Sequence, residues 1–178
     1  KRMLAYSSIG QAGYVLVALV AAESLGLTAV LFYVAAYAAM NLGAFGVAAA
    51  VSGASDERTA LADYSGLGRR APWLAAALAL FLLSLAGIPP TAGFIGKLTV
   101  FGAAVSGGYA YLAVIGALTS VAATFFYVAV IARMYGRPSP VDAAQSVGRV
   151  PAASMVAVAV AAVATLYQVT AGGPMTIQ

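Results

Sequence analysis

Charged residues are so sparse along this chain that long uncharged segments dominate it. No Lys, Arg, Asp or Glu falls within residues 3–22, 24–55, 71–96, 98–132 or 150–178. Each of these segments can cross the ~30 Å apolar core of a bilayer as a helix of ~20 residues. Lipid leaves backbone groups unpaired, and nothing shows the ~10-residue alternation of a barrel strand. The pattern therefore predicts an all-α, polytopic transmembrane helix bundle.

Apolar runs separated by turn signals divide the chain into about five spans. They belong to one predicted transmembrane domain, residues 1–178. The turn signals include Glu23, the polar stretch 53–72 and the loop that contains Pro138 and Pro140. We predict helical spans at 4–22, 27–52, 73–106, 110–134 and 151–170.

The third span is too long for one straight crossing, because residues 73–106 would extend ~51 Å as a single helix. Its middle carries helix-breaking residues, namely Gly87, Pro89, Pro90 and Gly93. The two prolines lack backbone donors and clash with the preceding turn, which frees the carbonyls of Leu85 and Ala86. The span is therefore either one crossing broken near 87–93 or a hairpin that returns to its starting side.

The placement of basic residues favours one broken crossing over a hairpin. With one crossing, eight of the nine Lys and Arg residues lie on one side of the membrane, and the loops on the other side have none. A hairpin would move the later basic loop, which contains Arg137 and Arg149, to the opposite side. Because basic loops remain cytoplasmic, we expect the basic side to be cytoplasmic and the C-terminus to lie opposite.

Composition narrows the classes of protein further. The chain is 63% hydrophobic and 8% charged, with mean hydropathy +0.96, which excludes a soluble globular domain. It has no Cys and no His, so we predict no metal site, Fe–S site or haem ligand. The net charge of +4 is better explained by basic loops that set the membrane topology than by binding to a nucleic acid. Because the chain begins at Lys1 rather than Met, we expect it to be part of a longer polypeptide.

Lys97 is the ninth basic residue, and apolar sequence flanks it on both sides. It precedes Ser106 by ~13 Å of helix, which places it near the bilayer midplane. A charge there costs ~2.5–3.5 kcal/mol and usually marks an ion pathway. Snorkelling towards an interface is the structural alternative. The broken helix before Lys97 favours the functional interpretation, because broken helices in membranes line hydrated cavities or ion sites.

Uncharged polar residues within the spans are candidate proton-relay neighbours of Lys97. A lysine that gives up a proton needs neighbours that hold water or relay the proton. Interhelical hydrogen bonding is the alternative role, especially for Ser and Thr. The candidates that we single out are Gln11, Tyr37, Asn41 and Thr91.

Four segments resemble the antiporter-like membrane subunits of NADH-quinone oxidoreductase (respiratory complex I), and the subunit N branch in particular. The most specific is LSLAGIPPTAGFIGK, residues 83–97. The others are KRMLAYSSI at residues 1–9, with Gly13 and Tyr14 following, NLGAF at 41–45 and DYSGLG at 63–68. The resemblance covers essentially the whole chain and is loosest after residue 138.

The resemblance implies a proton-translocating subunit whose C-terminal portion is this chain. Lys97 matches the family's lysine in the broken helix of the second of two inverted repeats. The implied partners are the N-terminal half of the same subunit, other membrane subunits of complex I and the lipid bilayer. NADH, FMN, Fe–S clusters and quinone are expected in other subunits, so no cofactor and no redox chemistry is expected in this chain. The alternatives are a subunit of a cation/proton antiporter and a structural membrane scaffold.

Overall fold

A computed structural model of the chain describes residues 2–20, 26–52, 60–137 and 152–171. The predicted turn at Glu23, part of the polar stretch after residue 52, and the loop with Pro138, Pro140 and Arg149 lie outside the described residues. The described secondary structure is helical, which confirms the all-α prediction. The main helices are α1 (Arg2–Val20), α2 (Gly26–Ser52), α3 (Leu67–Arg70), α4 (Pro72–Ala86), α5 (Ala92–Ser106), α6 (Ala110–Tyr135) and α7 (Ala152–Ala171).

Helix length limits which described elements could cross a membrane unaided. By length and composition three of them qualify, namely α1, α2 and α6. A fourth qualifies if the segment Ala62–Arg70 and α4, which meet at a bend of 119°, count as one span. The predicted span 73–106 is divided between α4 and α5, each of 15 residues, which is short of the ~20 that a crossing needs.

The break between α4 and α5 follows from its residues. Gly87 ends α4 in the left-handed conformation (φ +80°), which a residue without a Cβ adopts at little cost. Its N–H donates to Ser84 O at 3.0 Å, and the N–H of Ile88 donates to Leu83 O at 3.2 Å, which is a Schellman cap. Thr91 then begins α5, because its hydroxyl accepts from the N–H of Phe94 at 3.4 Å.

The helix α2 packs against α1, α4, α5 and α7 and so lies at the centre of the bundle. Its C-terminal half shares a buried apolar cluster with α4, and its N-terminal half shares a second cluster with α1 and α5. Close contacts pair Phe81 with Gly43, Gly93 with Met40, and Gly96 with Tyr33. Residue numbers fall along α2 as they rise along α4 and α5, so both short helices run in the same direction, antiparallel to α2.

The segment before α4 is fixed to the end of α6 that carries Arg133. The N–H of Gly66 donates to Arg133 O at 3.3 Å, across from the end of α6. The guanidinium of Arg70 donates to the carbonyls of Asp63 and Ser65, both at 2.9 Å. Pro72 then starts α4, where its missing N–H costs nothing. These contacts set the position from which α4 runs towards the break.

Candidate functional site

Lys97 lies on α5 with its side chain inside the bundle. The residue is 5% exposed. Its Nζ donates to the carbonyls of Leu85 and Ala86, each at 2.9 Å, and to Ser120 Oγ at 2.7 Å. The ammonium group therefore points at the helix break and at α6.

The two carbonyls that bind Lys97 are the ones that the end of α4 leaves free. The last four carbonyls of a helix have no helical partner. The cap at Gly87 and Ile88 satisfies two of them, Leu83 O and Ser84 O, and Lys97 satisfies the remaining two. The ammonium also lies at the negative end of the α4 dipole, which favours a cation there.

Gly87 gives Lys97 room to reach these carbonyls. A Cβ added at this position would lie 2.9 Å from Lys97 Cδ and 3.1 Å from Nζ. Its positive φ also disfavours any residue with a Cβ. The glycine is thus required both for the turn and for the path of the lysine side chain.

An aromatic ring from α1 covers the ammonium on another side. Lys97 Nζ lies 5.1 Å from the centre of the Tyr14 ring, within the range of a cation–π contact. Tyr14 is 5% exposed and packs edge-to-face against Tyr33 and Phe101. The site therefore combines residues of α1, α4, α5 and α6 around one buried cation.

Gln11 is joined to the same carbonyl as Lys97. Its Nε2 donates to Leu85 O at 3.4 Å, and its Oε1 accepts from the hydroxyl of Tyr33. Gln11 is buried, at 3% exposed. Because both ends of this buried amide are hydrogen-bonded, Gln11 fixes the position of α1 relative to α2 and α4. It shares the carbonyl of Leu85 with the Lys97 ammonium.

We expect Gln11→Leu to weaken this part of the bundle without removing Lys97. The change leaves the buried hydroxyl of Tyr33 without its acceptor, and an unsatisfied buried polar group costs about 1–3 kcal/mol. Tyr33→Phe in the same background removes that hydroxyl and should restore part of the loss. Thermal dissociation of the subunit in detergent measures both changes; equal stability of Gln11→Leu and the unmodified protein would contradict the expectation.

The other predicted neighbours make no hydrogen bond to the ammonium. Thr91 caps α5 as described above. Tyr37 and Asn41 are half-buried on α2, and neither makes a side-chain hydrogen bond to a described residue. Pro89 and Pro90 are exposed in the break, and Gly93 packs directly on the backbone of Ser84. The relay roles of Gln11, Tyr37, Asn41 and Thr91 stay predictions.

Two residues of this site were not among the sequence candidates. Ser120 bonds Lys97 directly, and Tyr14 covers it. Both occur in the sequence as polar residues of apolar helices, where packing roles are more frequent than functional ones. Only the fold shows that they meet at Lys97.

A groove between α1 and α6 lies next to this site. Its volume is about 440 Å³, and its lining combines apolar residues with polar ones: Ser7, Gln11, Tyr14, Thr119 and Tyr127. Ser7 is hydrogen-bonded to Tyr127 across it, and the hydroxyls of Tyr14 and Thr119 are 3.4 Å apart. The described residues hold no cluster of three or more carboxylate, His or Cys side chains that could bind a metal.

The fold and the buried lysine define an integral membrane protein built around a broken helix. The matching family model is described as NADH:quinone oxidoreductase/Mrp antiporter, transmembrane, and it covers residues 1–123. The chain belongs to this family.

Individual relatives agree with the family model. The chain is 49% identical over 138 residues to NADH-quinone oxidoreductase subunit N of Trichlorobacter lovleyi, and 51% identical over 139 residues to subunit N 1 of Solidesulfovibrio magneticus. Each alignment covers 78% of this chain, but only 28% and 30% of the relatives. The chain thus spans less than a third of their length.

A solved structure shares the fold. The match is to respiratory complex I from Thermus thermophilus with bound aureothin, with a TM-score of 0.80 and 32% sequence identity. It covers 97% of this chain and 37% of the matched chain. The helical arrangement described above is therefore that of a complex I membrane chain along almost its whole length.

Proposed function

We propose that this chain is the C-terminal part of a proton-translocating membrane subunit of NADH-quinone oxidoreductase. The observation that carries the proposal is the Lys97 ammonium, buried at a helix break and held by two free carbonyls. A lysine in such a place is suited to hold and release a proton. Relatives named as subunit N support the same function.

Lys97 takes up a proton inside the membrane and releases it towards the side opposite the basic loops. The driving force comes from electron transfer between NADH and quinone in other subunits, which also hold FMN and the Fe–S clusters. The partners of this chain are the N-terminal half of its own subunit, other membrane subunits and lipid, and no nucleic acid. The exposed apolar side chains of α6, such as Val121 and Phe125, suit contact with lipid or further helices.

The order of packing along α2 supports the proposed orientation. Because α4 and α5 run in one direction, they form one broken crossing in a single transmembrane domain. The basic loops are then cytoplasmic, the C-terminus lies opposite, and the membrane is the bacterial inner membrane.

A cation/proton antiporter is the second candidate function. The family description includes Mrp antiporters, and the oxygens that hold the ammonium would also suit a monovalent cation. In this case the broken helix works in the same way, but no redox partner drives it. A structural scaffold is the third candidate, and it assigns no chemistry to Lys97.

Inverted membrane vesicles distinguish these functions. We compare vesicles that contain the full-length subunit with vesicles that lack it, and measure proton uptake after adding either NADH or sodium. Proton uptake that needs both NADH and the subunit is the expected result. A sodium-driven pH change without NADH would indicate the antiporter. Unchanged uptake without the subunit, in a complex that still assembles, would leave only the scaffold.

A further inference from the structure

The hydrogen bonds of Lys97 match the charged form of the side chain. An ammonium group has three N–H donors and no acceptor. Lys97 Nζ has three oxygen partners, namely Leu85 O, Ala86 O and Ser120 Oγ, at 2.7–2.9 Å. Every proton of the ammonium is therefore bonded within the chain, and this arrangement is that of the proton-loaded lysine.

The neutral amine needs one partner that donates a hydrogen bond to it. It has two N–H donors and one lone pair, so one of the three partners must become a donor. Backbone carbonyls only accept, whereas a serine hydroxyl both donates and accepts. Tyr14 presents its ring to Nζ, while its hydroxyl is paired with Thr119. Among the described partners of Lys97, only Ser120 can donate to the neutral amine.

Ser120 is also the most exposed of the three partners of Lys97. Leu85 is 1% exposed and Ala86 is 3% exposed, whereas Ser120 is half-buried. In the arrangement observed, the Ser120 hydroxyl lies 3.3 Å from Ala86 O and can direct its proton there, leaving its oxygen free to accept from Lys97. The hydroxyl thus has one orientation for the charged lysine and another for the neutral one.

Few other groups near Lys97 could carry the proton. The titratable residue against Lys97 is Tyr14 on α1, and those around Tyr14 are Tyr33 and Tyr37 on α2 and Tyr127 on α6. The helices α1–α7 contain no Asp, Glu or His. Hydroxyl groups and water are therefore the proton carriers available beside this lysine.

We propose that Ser120 relays the proton between Lys97 and water. On release, an N–H bond of the ammonium breaks and its proton moves to Ser120 Oγ, while the original O–H proton of the serine passes to a water molecule. Lys97 becomes a neutral amine, the water becomes hydronium, and Ser120 remains neutral. The new O–H bond points at the lysine lone pair. Loading reverses these steps.

This inference rests on the proposed proton-translocating function, and the test separates the two. The full-length subunit is expressed in the assembled complex as Ser120→Ala, Ser120→Thr and Lys97→Ala. Thr99→Val is the matched control, because Thr99 lies only two positions after Lys97 on α5, but its hydroxyl donates to Gly96 O of its own helix, at 2.8 Å. Proton uptake in inverted vesicles is measured per NADH oxidised.

We expect Ser120→Ala to lose pumping to the level of Lys97→Ala, Ser120→Thr to restore it, and Thr99→Val to leave it unchanged. Restoration by threonine would assign the effect to the hydroxyl rather than to packing. Normal pumping in Ser120→Ala, with Lys97→Ala impaired, would overturn the relay and keep the proposed function. Equal loss in Ser120→Ala and Ser120→Thr would also overturn the relay.

Normal pumping in Lys97→Ala would instead overturn the role of Lys97 in the proposed function and the relay with it. If Ser120→Ala does not assemble, Ser120→Cys takes its place. Its thiol is similar in size but a weak donor and acceptor, so we expect the same loss. Full pumping by Ser120→Cys would contradict the relay.

Discussion

Replacing Lys97 with alanine in the full-length subunit is expected to abolish the proton pumping that passes through this site, while electron transfer from NADH continues. The described helices offer no other ammonium, carboxylate or imidazole near the break. Alanine removes the shortest hydrogen bonds to Leu85 O and Ala86 O, but Gln11 Nε2 at 3.4 Å and Ser120 Oγ at 3.3 Å still donate to them, so we expect the complex to assemble. Proton uptake per NADH oxidised, normalised to the amount of assembled complex, measures the effect.

Lys97→Arg is the control for charge alone. Arginine keeps the positive charge and several N–H donors, but it does not lose its proton in proteins. We therefore expect it to assemble and to pump no better than the alanine variant. Full pumping with arginine would contradict proton exchange at this position, and full pumping with alanine would remove Lys97 from the pathway altogether.

Gly93→Ala is expected to give the largest loss of structural integrity. A Cβ at this position would overlap the carbonyl oxygen of Ser84, and a backbone atom cannot move aside as a side-chain tip can. The N–H of Gly93 also donates to Ser84 Oγ at 3.2 Å, so α5 starts directly against the end of α4. Overpacking costs about 1–3 kcal/mol or more, and here it would push the two halves of the broken helix apart.

Gly102→Ala is the matched control on the same helix. Nothing lies within 4 Å of a Cβ added there, and alanine within a helix is favoured over glycine by roughly 0.5–1 kcal/mol. The amount of assembled subunit and its thermal dissociation temperature should fall for Gly93→Ala and remain unchanged or rise for Gly102→Ala. Identical behaviour of the two variants would show that the close contact at Gly93 is not limiting.

The sequence predicted the helical fold, the helix break and the buried lysine, because each depends on strong local chemistry. Uncharged runs of this length form helices in lipid. Two adjacent prolines and nearby glycines interrupt a helix wherever they occur. The same rule identified the carbonyls of Leu85 and Ala86 as free, and the structure shows both accepting from Lys97.

The neighbours of Lys97 depend on tertiary packing, which periodicity alone does not specify. Tyr37 and Asn41 share a helical face with Tyr33, but the close contacts of α5 with α2 are made by Tyr33 and Met40, through Gly96 and Gly93. Ser120 follows Lys97 by 23 positions, and only the antiparallel approach of α6 brings it to the ammonium. Thr91 is close to Lys97 in sequence, but its hydroxyl caps the N-terminus of α5. Spacing along one helix therefore indicated candidates without deciding which of them meet.

The bonds from Lys97 to the end of α4 connect the charge of the lysine to the shape of the broken helix. The residue belongs to α5, but its ammonium binds the last two carbonyls of α4. It therefore links the two halves of the broken helix. A neutral amine can keep both bonds through its two N–H groups, but they lose the contribution of the positive charge, so the link weakens when the proton leaves. By thermodynamic reciprocity, a strain that separates α4 from α5 must also promote release of the proton. The separation of the two helix halves and the proton occupancy of Lys97 are thus thermodynamically coupled through one side chain.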